Sequence, residues 1–374
     1  MSSAQTSEKN PHTMTTTLQN ITDLTLQQLT RRMAEMKEPA WRAKQIHEWL
    51  FNHRAHSFDE MTTLSKALRE RLRETFTITP PEVEKHDEAT EGACPGPTEK
   101  LLLRLPDGAM IETVLIPGPG RLTACLSSQA GCALQCTFCA TGTLGAGRNL
   151  TPGEIVGQAN ALNDMLAAPG QEQKITNIVF MGMGEPLLNT PNVLDAVETL
   201  STRGYNMAIS QRKITISTVG IIPEIAKLAT SGMKTKLAVS LHSAFQEKRE
   251  SLMPLAARRY PLEELQPVLA HYAKNTGEPI TLVYMLLEGI NDSMDDARQL
   301  IRFASGFFCK INLIDYNSIV NFQFKNVSSE KRERFRDRLL ETGLQVTLRK
   351  SYGTTIHAAC GQLAAKGMEH GNKS

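Results

Sequence analysis

The chain lacks long apolar runs and has little excess of either charge. Its 374 residues carry a formal net charge of only +2, so any affinity for nucleic acid must come from local basic patches. No stretch is apolar for long enough to cross a bilayer. The Ser/Thr/Gln-rich segment 1–19 has no apolar centre and is not typical of a signal peptide. We therefore expect a cytoplasmic protein with no membrane association.

Cysteine is sparse but clustered. The seven cysteines of a protein without an export signal are expected in a reducing compartment, where close thiols bind metals or react. Three of them, Cys132, Cys136 and Cys139, lie within eight residues with the spacing C-x3-C-x2-C. Soft sulfur selects zinc or an iron–sulfur cluster. Because a structural zinc site has four protein ligands, a run of three favours a 4Fe–4S cluster with one open iron. The alternative is a zinc knuckle completed by Cys125 or a distant histidine.

The N-terminal part of the chain has three helical patterns. Apolar residues recur at three- and four-residue steps over Leu24–Met36, Trp41–Phe51 and Leu64–Phe76. Their cations are Arg31, Arg32, Arg42, Lys44, Arg54, Lys66, Arg69, Arg71 and Arg73. From this stretch alone, a solvated helix surface is favoured over a surface that grips RNA. After a break at Pro80-Pro81, two apolar runs flank Asp107-Gly108, which predicts a β-hairpin.

Beyond the hairpin, apolar β-rich runs alternate with helical patterns. Strands are predicted at Leu122–Leu126, Asn177–Met181, Lys213–Ser217, Lys236–Leu241, Ile280–Leu286 and Lys310–Ile314. Helices are predicted at Pro152–Leu166, Asn192–Thr202, Ile221–Ser231, Leu262–Lys274 and Asp295–Ala304, followed by a helix over Ser329–Glu341 and a strand over Leu344–Arg349. Repeated βα units predict an α/β fold with a parallel sheet, either open and doubly wound or an incomplete barrel.

Polar side chains cluster at the carboxyl ends of these strands. They are Glu185, Ser217, Ser240, His242 and Asn317. Each alone is most simply explained by a turn or a satisfied core residue. Parallel α/β sheets and barrels, however, place their sites at this edge, and the cysteine run follows the first strand on the same face. The sequence therefore predicts one site that combines the thiols with the strand-end side chains.

Two continuous strings identify a family. SSQAGCALQCTFCATG at 127–142 and FMGMGEPLLN at 180–189 resemble the RlmN-type dual-specificity RNA methyltransferases of the radical S-adenosylmethionine (SAM) superfamily. The resemblance extends over roughly Leu24 to Leu363. One departure follows Asn317, where the chain reads SIVNFQF at 318–324 instead of a Pro/Gly-rich loop.

The resemblance implies an α/β architecture, a partial (β/α)6 radical SAM barrel with a small N-terminal helical domain. The expected divisions are a disordered tail at 1–20, a helical RNA-binding domain at 21–80, a linker and β-hairpin at 81–120, and the barrel with a C-terminal reactive-cysteine segment at 121–365.

The resemblance also implies functional residues. Cys132, Cys136 and Cys139 would hold the 4Fe–4S cluster, and SAM would close its fourth iron. The SAM pocket would be formed by Gly184, Glu185, Ser217, Ser240, Leu241, His242 and Asn317. Glu112, Cys125 and Cys360 match the family's further functional positions. Nothing in the sequence assigns a role to Cys94 or Cys309.

The implied reaction uses two SAM molecules per turnover. The first would methylate Cys360. The second, reduced by the cluster, would give a 5′-deoxyadenosyl radical that takes a hydrogen atom from the new methyl group, so that the resulting methylene radical adds to carbon 2 of adenine. Cys125 would then attack the sulfur of Cys360, forming a transient disulfide and releasing the methylated base. Glu112 would accept the carbon 2 proton, with Cys125 as a possible second acceptor.

The implied partners are RNA and an electron donor. The expected substrates are an adenosine in the peptidyl-transferase region of 23S rRNA and the adenosine next to the anticodon in tRNA, flipped out or unstacked. A low-potential donor such as flavodoxin or ferredoxin would reduce the cluster. Phosphate contacts are expected from the N-terminal cations and from Lys331, Arg332, Arg334, Arg336 and Arg338. Two alternatives stay open: a resistance-type enzyme that methylates carbon 8, and a zinc-stabilised RNA-binding protein.

Overall fold

The computed structural model describes residues 18–90, 96–166, 174–205, 207–319, 322–349 and 352–364. The predicted tail therefore lies outside the described residues except for 18–20, and so do Cys94 and residue 365. Within the described ranges, no helix combines the length and the apolar character that a membrane span requires.

The N-terminal region is a small helical unit closed by a pair of short strands. Its elements are β1 (Gln19–Asn20), α1 (Leu26–Glu35), α2 (Trp41–Phe51), α3 (Lys66–Thr75) and β2 (Phe76–Thr77). The three helices lie where the apolar periodicity predicts them, and β1 pairs in parallel with β2. The expected tail thus ends before Gln19, because that residue already belongs to a strand.

This helical unit packs on the next domain through specific polar and aromatic contacts. The side-chain amide of Gln28 donates a hydrogen bond to Asp195 at 2.9 Å. The backbone N–H of Gly153 donates to Asp23 at 3.0 Å. The ring of Phe51 meets that of Tyr205 edge-on, with 5.5 Å between the centroids. The unit is therefore docked on the barrel helices.

Residues 82–118 form a three-stranded antiparallel sheet: the hairpin predicted around Asp107-Gly108 is present, and a further strand lies where a linker was expected. The strands are β3 (Glu82–Ala89), β4 (Thr98–Arg104) and β5 (Met110–Gly118). Sequence analysis misses β3 because its residues, EVEKHDEA, have almost no apolar face: at this outer edge of the sheet every residue except Asp87 and Ala89 is exposed. β5 also pairs antiparallel with the first barrel strand, so this sheet continues into the barrel.

The barrel strands run in parallel. They are β6 (Arg121–Cys125), β7 (Asn177–Phe180), β8 (Ile214–Thr218), β9 (Lys236–Ser240), β10 (Ile280–Leu286), β11 (Cys309–Asp315) and β12 (Gln345–Arg349). Each pairs with the next, so the whole ten-stranded sheet has the order β12-β11-β10-β9-β8-β7-β6-β5-β4-β3. Among the described strands β3 and β12 do not pair with each other, and the barrel is therefore partial, as expected.

Helices connect the barrel strands. They are α4 (Ala140–Thr143), α5 (Pro152–Met165), α6 (Thr190–Ser201), α7 (Ile222–Leu228), α8 (Gln246–Leu252), α9 (Pro254–Arg259), α10 (Leu262–Thr276), α11 (Met294–Ala304) and α12 (Ser329–Leu340). Short 3₁₀ turns lie at Ile21–Asp23, Phe58–Glu60, Pro186–Leu188 and Gln211–Lys213. Thr151 and Ser293 begin α5 and α11 with capping boxes. Sequence analysis misses α4, α8 and α9, because α4 and α9 have only four and six residues and α8 has a single apolar residue.

Candidate active site

The three clustered cysteines lie on the loop that follows β6. The loop folds back on itself: the N–H of Cys132 donates to the carbonyl oxygen of Gly145 at 2.9 Å, and that of Cys139 donates to Cys136 at 3.2 Å. The two arms approach so closely that a Cβ on Gly147 would lie 1.5 Å from the carbonyl oxygen of Ala130. Glycine is therefore required for the loop to close around the thiols.

The three thiols influence one another. Burial raises the pKa of Cys132 to about 11 and that of Cys136 well above its ordinary value, and the neighbouring cysteines raise both further. Burial likewise raises the pKa of Cys139. A raised pKa means that the protonated thiol is favoured. A bound metal cation reverses this preference, because it favours the thiolate form. Close thiols with a high proton affinity thus suit a metal centre whose binding releases protons.

The surroundings of the three thiols suit an iron–sulfur cluster. Within the described part of the chain, no three His, Cys, Asp or Glu side chains converge closely enough to hold one metal ion. A cluster is larger than a single ion and is held by thiolates that are farther apart. The surroundings of Cys132 and Cys136 are apolar and include Leu134, Leu252 and Met253. Three thiols in apolar surroundings fit a 4Fe–4S cluster that keeps one iron open for a further ligand.

A cleft opens beside the cysteine loop at the carboxyl ends of the strands. This strand-end cleft encloses about 970 Å³, and Cys139, Gly184, Glu185, Ser217, Ser240 and His242 line it. The fold therefore brings five of the predicted SAM-pocket residues together with one of the predicted cluster ligands. Leu241 is fully buried and is not among the described residues that line the cleft, and its N–H donates to Val283. Asn317 lines a neighbouring cleft instead.

Gly184 and Glu185 form a tight turn at the end of β7. Gly184 has a φ of +94°, and a Cβ there would lie 2.5 Å from Gln129, so this position requires glycine. The Glu185 carboxylate accepts hydrogen bonds from the N–H groups of Val219 at 2.8 Å and Leu187 at 3.0 Å. Burial raises its pKa to about 7, against the effect of these bonds. A cationic ligand in the cleft would stabilise the ionised form.

His242 is fixed by its neighbours. Its Nδ1 accepts a hydrogen bond from the N–H of Met285 at 3.1 Å, and its ring meets Phe138 edge-on at 4.8 Å. Burial lowers its pKa to about 3, with a smaller contribution from the charge of Arg249. His242 is therefore neutral in this setting, and it can offer the cleft a neutral ring but not a cation.

A second cleft joins the two remote cysteines. This two-cysteine cleft encloses about 560 Å³, and Cys125, Met181, Asn317, Arg349 and Cys360 are among the residues that line it. Burial raises the pKa of Cys125 to about 12, and the neighbouring Cys360 adds to the rise, which shows that the thiols interact. Cys360 is exposed and also lines the strand-end cleft. It therefore stands where the two clefts meet.

The C-terminal segment that carries Cys360 is tied to the barrel by hydrogen bonds to the cysteine and to the residues that follow it. The Nδ2 of Asn317 donates to the carbonyl oxygen of Cys360 at 3.0 Å. The N–H of Ala140 donates to Gly361 at 2.7 Å, and the Thr141 hydroxyl donates to Leu363 at 2.6 Å. Two of these anchors follow Cys139 directly, so the cysteine loop itself positions the reactive-cysteine segment.

Glu112 lies beneath the same segment. It is buried on β5, where its Oε1 lies 2.9 Å from the Nζ of Lys100 and its Oε2 accepts a hydrogen bond from the N–H of Ala364 at 2.8 Å. It is not among the described residues that line either cleft. The structure thus brings Glu112 close to the Cys360 segment, with the carboxylate held by a lysine.

Two arginines of the site were not found by sequence analysis. Arg349, at the end of β12, lines both clefts. Arg249, on α8, is fully buried and interacts electrostatically with Cys136. The strand-end rule could have drawn attention to Arg349. No local pattern points to Arg249, because α8 itself was not predicted.

Comparisons with known proteins agree with this geometry. Residues 19–78 match the ribosomal RNA large subunit methyltransferase N-terminal domain, and residues 126–304 match the radical SAM superfamily. The chain is 87% identical, over the full length of both chains, to a probable dual-specificity RNA methyltransferase RlmN of Chlorobium phaeovibrioides. A protein of the same description from Chlorobium luteolum is 65% identical over 92% of this chain and 96% of its own.

A solved structure extends the comparison to the fold. The crystal structure of a radical SAM methyltransferase from Sphaerobacter thermophilus matches with a TM-score of 0.85 and 41% identity, covering 93% of this chain and 100% of the other. The similarity therefore includes both the helical unit and the barrel.

Proposed function

Because the chain belongs to the RlmN family of radical SAM RNA methyltransferases, we propose that it methylates carbon 2 of adenosine in 23S rRNA and in tRNA. The ribosomal target is the peptidyl-transferase region, and the tRNA target is the adenosine next to the anticodon. These substrates imply a cytoplasmic enzyme.

The observation that carries the proposal is the place of Cys360. Its side chain belongs to the wall of the strand-end cleft and also to the wall of the two-cysteine cleft. A residue in this position can receive a methyl group from a molecule in the first cleft and pass it on beside Cys125 in the second. A protein that only bound RNA would have no use for this arrangement.

The cofactors are a 4Fe–4S cluster and SAM, as the family uses. Cys132, Cys136 and Cys139 would hold the cluster, which supplies the electron that cleaves SAM. Ser217, Ser240 and His242 would contact SAM from the strand ends, and the Glu185 carboxylate would pair with its ammonium group. Leu241 and Asn317 do not line the strand-end cleft. Each would contact SAM only through its backbone atoms or after a shift of the neighbouring loop.

The reactive cysteines act in sequence. The Cys360 thiol loses a proton and its sulfur gains the methyl group of a first SAM. After the methyl group loses one hydrogen atom, its carbon bonds to carbon 2 of the adenine, and RNA and protein are joined through sulfur. The adduct then loses the carbon 2 hydrogen as a proton and gives up one electron, which the cluster would take back. Cys125 then attacks the sulfur of Cys360, so that an S–S bond forms as the S–C bond to the RNA breaks and the released carbon takes up a proton. The disulfide must be reduced before the next turnover.

Glu112 is the proposed acceptor of the carbon 2 proton, and the resemblance implies that Cys125 shares this role. Its support is position: the carboxylate contacts Ala364, four residues after Cys360. Lys100 neutralises its charge in the buried ground state. Proton transfer would therefore require that the bound RNA bring its adenine within reach of the Glu112 carboxylate.

RNA binding is assigned to the helical unit at 21–80. Arg31, Lys37, Lys44 and Lys66 are exposed and, within the described residues, form no ion pair. Most cations of α12 do form ion pairs: Lys331 with Asp292, Arg332 with Asp315, Arg336 with Asp337 and Arg338 with Glu341. A cation without an ion pair can neutralise a phosphate, and so release the counterions of the RNA, without first losing a carboxylate partner. The N-terminal unit is therefore the stronger candidate. Flavodoxin or ferredoxin is the proposed electron donor.

Mass spectrometry of nucleosides tests this function. The anaerobically reconstituted protein would be incubated with SAM, a low-potential reductant, and unmodified 23S rRNA or tRNA. We expect 2-methyladenosine in both RNAs and none without reductant. A product methylated at carbon 8 would identify the resistance-type reaction instead. Tight zinc binding with no cleavage of SAM would identify a non-catalytic RNA-binding protein.

A further inference from the structure

Arg249 is a buried cation without an anionic partner. Its side chain is 0% exposed, and within the described residues no carboxylate forms an ion pair with it. Its guanidinium donates hydrogen bonds to the carbonyl oxygens of Tyr260, at 3.2 Å, and Val219. Among the described residues, its Nε has no hydrogen-bond partner. An uncompensated buried charge is strongly destabilising. We therefore expect an anion beside this guanidinium in the functional protein.

The missing anion is expected on the side of the cysteine loop. The helix that carries Arg249 is bonded to that loop, since the N–H of Thr137 donates to the carbonyl oxygen of Leu252 at 2.9 Å. Arg249 also interacts with Cys136, whose thiolate it favours, although burial is the larger effect on both pKa values. Val219, which accepts one of its hydrogen bonds, lines the strand-end cleft. Arg249 therefore lies near both the Cys136 thiol and a residue of the cleft wall.

A cluster at this place would supply the anion. A 4Fe–4S core of charge 2+ that is bound by three thiolates is a net anion, and the addition of one electron makes it more negative. A fixed cation in an apolar shell stabilises the more negative state more strongly, because interactions between charges are less screened there than in water. The net charge around a cluster is one of the factors that set its reduction potential.

We propose that Arg249 is the electrostatic partner of the cluster and makes its reduction easier. This inference rests on the proposed function, since it requires the cluster at Cys132, Cys136 and Cys139. The electron comes from the low-potential donor, and the cluster passes from its 2+ to its 1+ state without loss or gain of a proton. Arg249 does not touch the reacting atoms. It acts through the cluster, so it raises the reduced fraction at a given donor potential.

The test compares charge-removing and charge-keeping variants. Arg249→Met, with Arg249→Gln as a second neutral variant in case the first fails to fold, removes the charge. Arg249→Lys keeps the charge but loses the planar guanidinium that donates to both carbonyl oxygens. Each reconstituted full-length protein would be assayed for iron content, and its cluster potential would be determined by a redox titration followed by electron paramagnetic resonance.

We expect the neutral variants to bind the cluster and to show at least a tenfold smaller equilibrium constant for reduction. For one electron this is a potential lower by about 59 mV. In the lysine variant, the equilibrium constant for reduction should differ from that of wild type by less than threefold. Lys248→Met is the matched control: Lys248 precedes Arg249 on α8, but its charge is already bonded to Asp296 at 2.7 Å. The equilibrium constant for reduction of its cluster should also differ from that of wild type by less than threefold.

Three results would overturn the inference. One is an unchanged potential in both neutral variants, and another is a lysine variant that behaves like the neutral ones, because then the bonds to carbonyl groups would matter and not the charge. The third is an equal shift in Lys248→Met, which would make the effect non-specific. A wild-type protein that binds no iron would instead refute the proposed function, so the two failures are distinguishable.

Discussion

The side-chain amide of Asn317 holds the carbonyl oxygen of Cys360 at 3.0 Å. This bond joins the end of a barrel strand to the segment that carries the exposed cysteine. It leaves the Asn317 side chain facing the two-cysteine cleft, so its main contribution is to fix where the Cys360 sulfur stands and less to contact SAM.

Asn317→Ala should slow the methylation of Cys360 with little change in SAM affinity. One hydrogen bond contributes about 0.5–1.5 kcal/mol, so we expect a decrease of roughly two- to tenfold in the rate. The mass of the intact protein over time gives this rate. Asn192→Ala is the control, because the Asn192 amide bonds to Leu150 at 3.0 Å, away from this segment. Equal rates in wild type and Asn317→Ala would contradict the anchoring role.

Cys136→Ala should abolish iron binding and SAM cleavage, because the cluster would lose one of its three protein ligands. Iron analysis and the ultraviolet–visible spectrum after reconstitution measure the loss. Cys309→Ala provides the comparison, since Cys309 is also buried but bonds to Ala304 outside the site, and it should retain the cluster. SAM cleavage at the wild-type rate by Cys136→Ala would rule out the assignment.

Cys125→Ala should stop the reaction after RNA and protein are joined. Without this thiol nothing attacks the sulfur of Cys360, so RNA should remain attached through that residue. A gel under denaturing conditions would show the adduct, and nuclease digestion with peptide mass spectrometry would locate it. Cys309→Ala should release its RNA normally. Free methylated RNA from the Cys125 variant would show that another group resolves the adduct.

SAM should bind more weakly at low pH because of Glu185. Burial raises the pKa of this carboxyl to about 7 in the free protein, and only the ionised form pairs with an ammonium group. Below about pH 7, binding must therefore displace a proton, and the affinity should fall by up to about tenfold per pH unit. Calorimetric titration without reductant measures it. Glu185→Gln should bind weakly with no such slope, and a wild-type affinity that is independent of pH would contradict the pairing.

Unpaired cations of the helical unit should determine the salt dependence of RNA binding. Lys44→Ala and Lys66→Ala should each weaken binding and reduce the slope of log affinity against log salt by about one. Arg73→Ala should have a smaller effect, because Arg73 already pairs with Asp59 at 2.6 Å. Fluorescence anisotropy with structured RNA gives the slopes. Identical slopes in all variants would assign RNA binding to another surface.

The barrel could be predicted from sequence because its strands are short apolar runs separated by amphipathic helices. The strand β10, for instance, begins and ends where its pattern predicts, at Ile280 and Leu286. Patterns fail where an element has no apolar face to bury. The strand β3 is one such case, and α8 is another, because Leu252 is the single apolar residue among its seven.

The candidate site could be predicted only in part. Strand-end side chains such as Ser217 and Ser240 converge as a direct result of parallel pairing, so their meeting follows from the topology. The position of Cys360 does not, because no local pattern tells where a segment after the last strand folds back. Its assignment came from the resemblance, and the contact between Glu112 and Ala364 had no sequence signal at all. Long-range packing of irregular segments depends on the whole fold.

The charged outer strand β3 has a consequence for the protein in a crowded cell. An open sheet exposes unpaired backbone N–H and C=O groups at its margins, and these can recruit a strand from another molecule and start aggregation. Here the margin formed by Glu82–Ala89 has mostly ionisable side chains, which would have to be desolvated and brought near their own copies in any such pairing. A barrel that stays open therefore keeps this side of its sheet unsuitable for self-association.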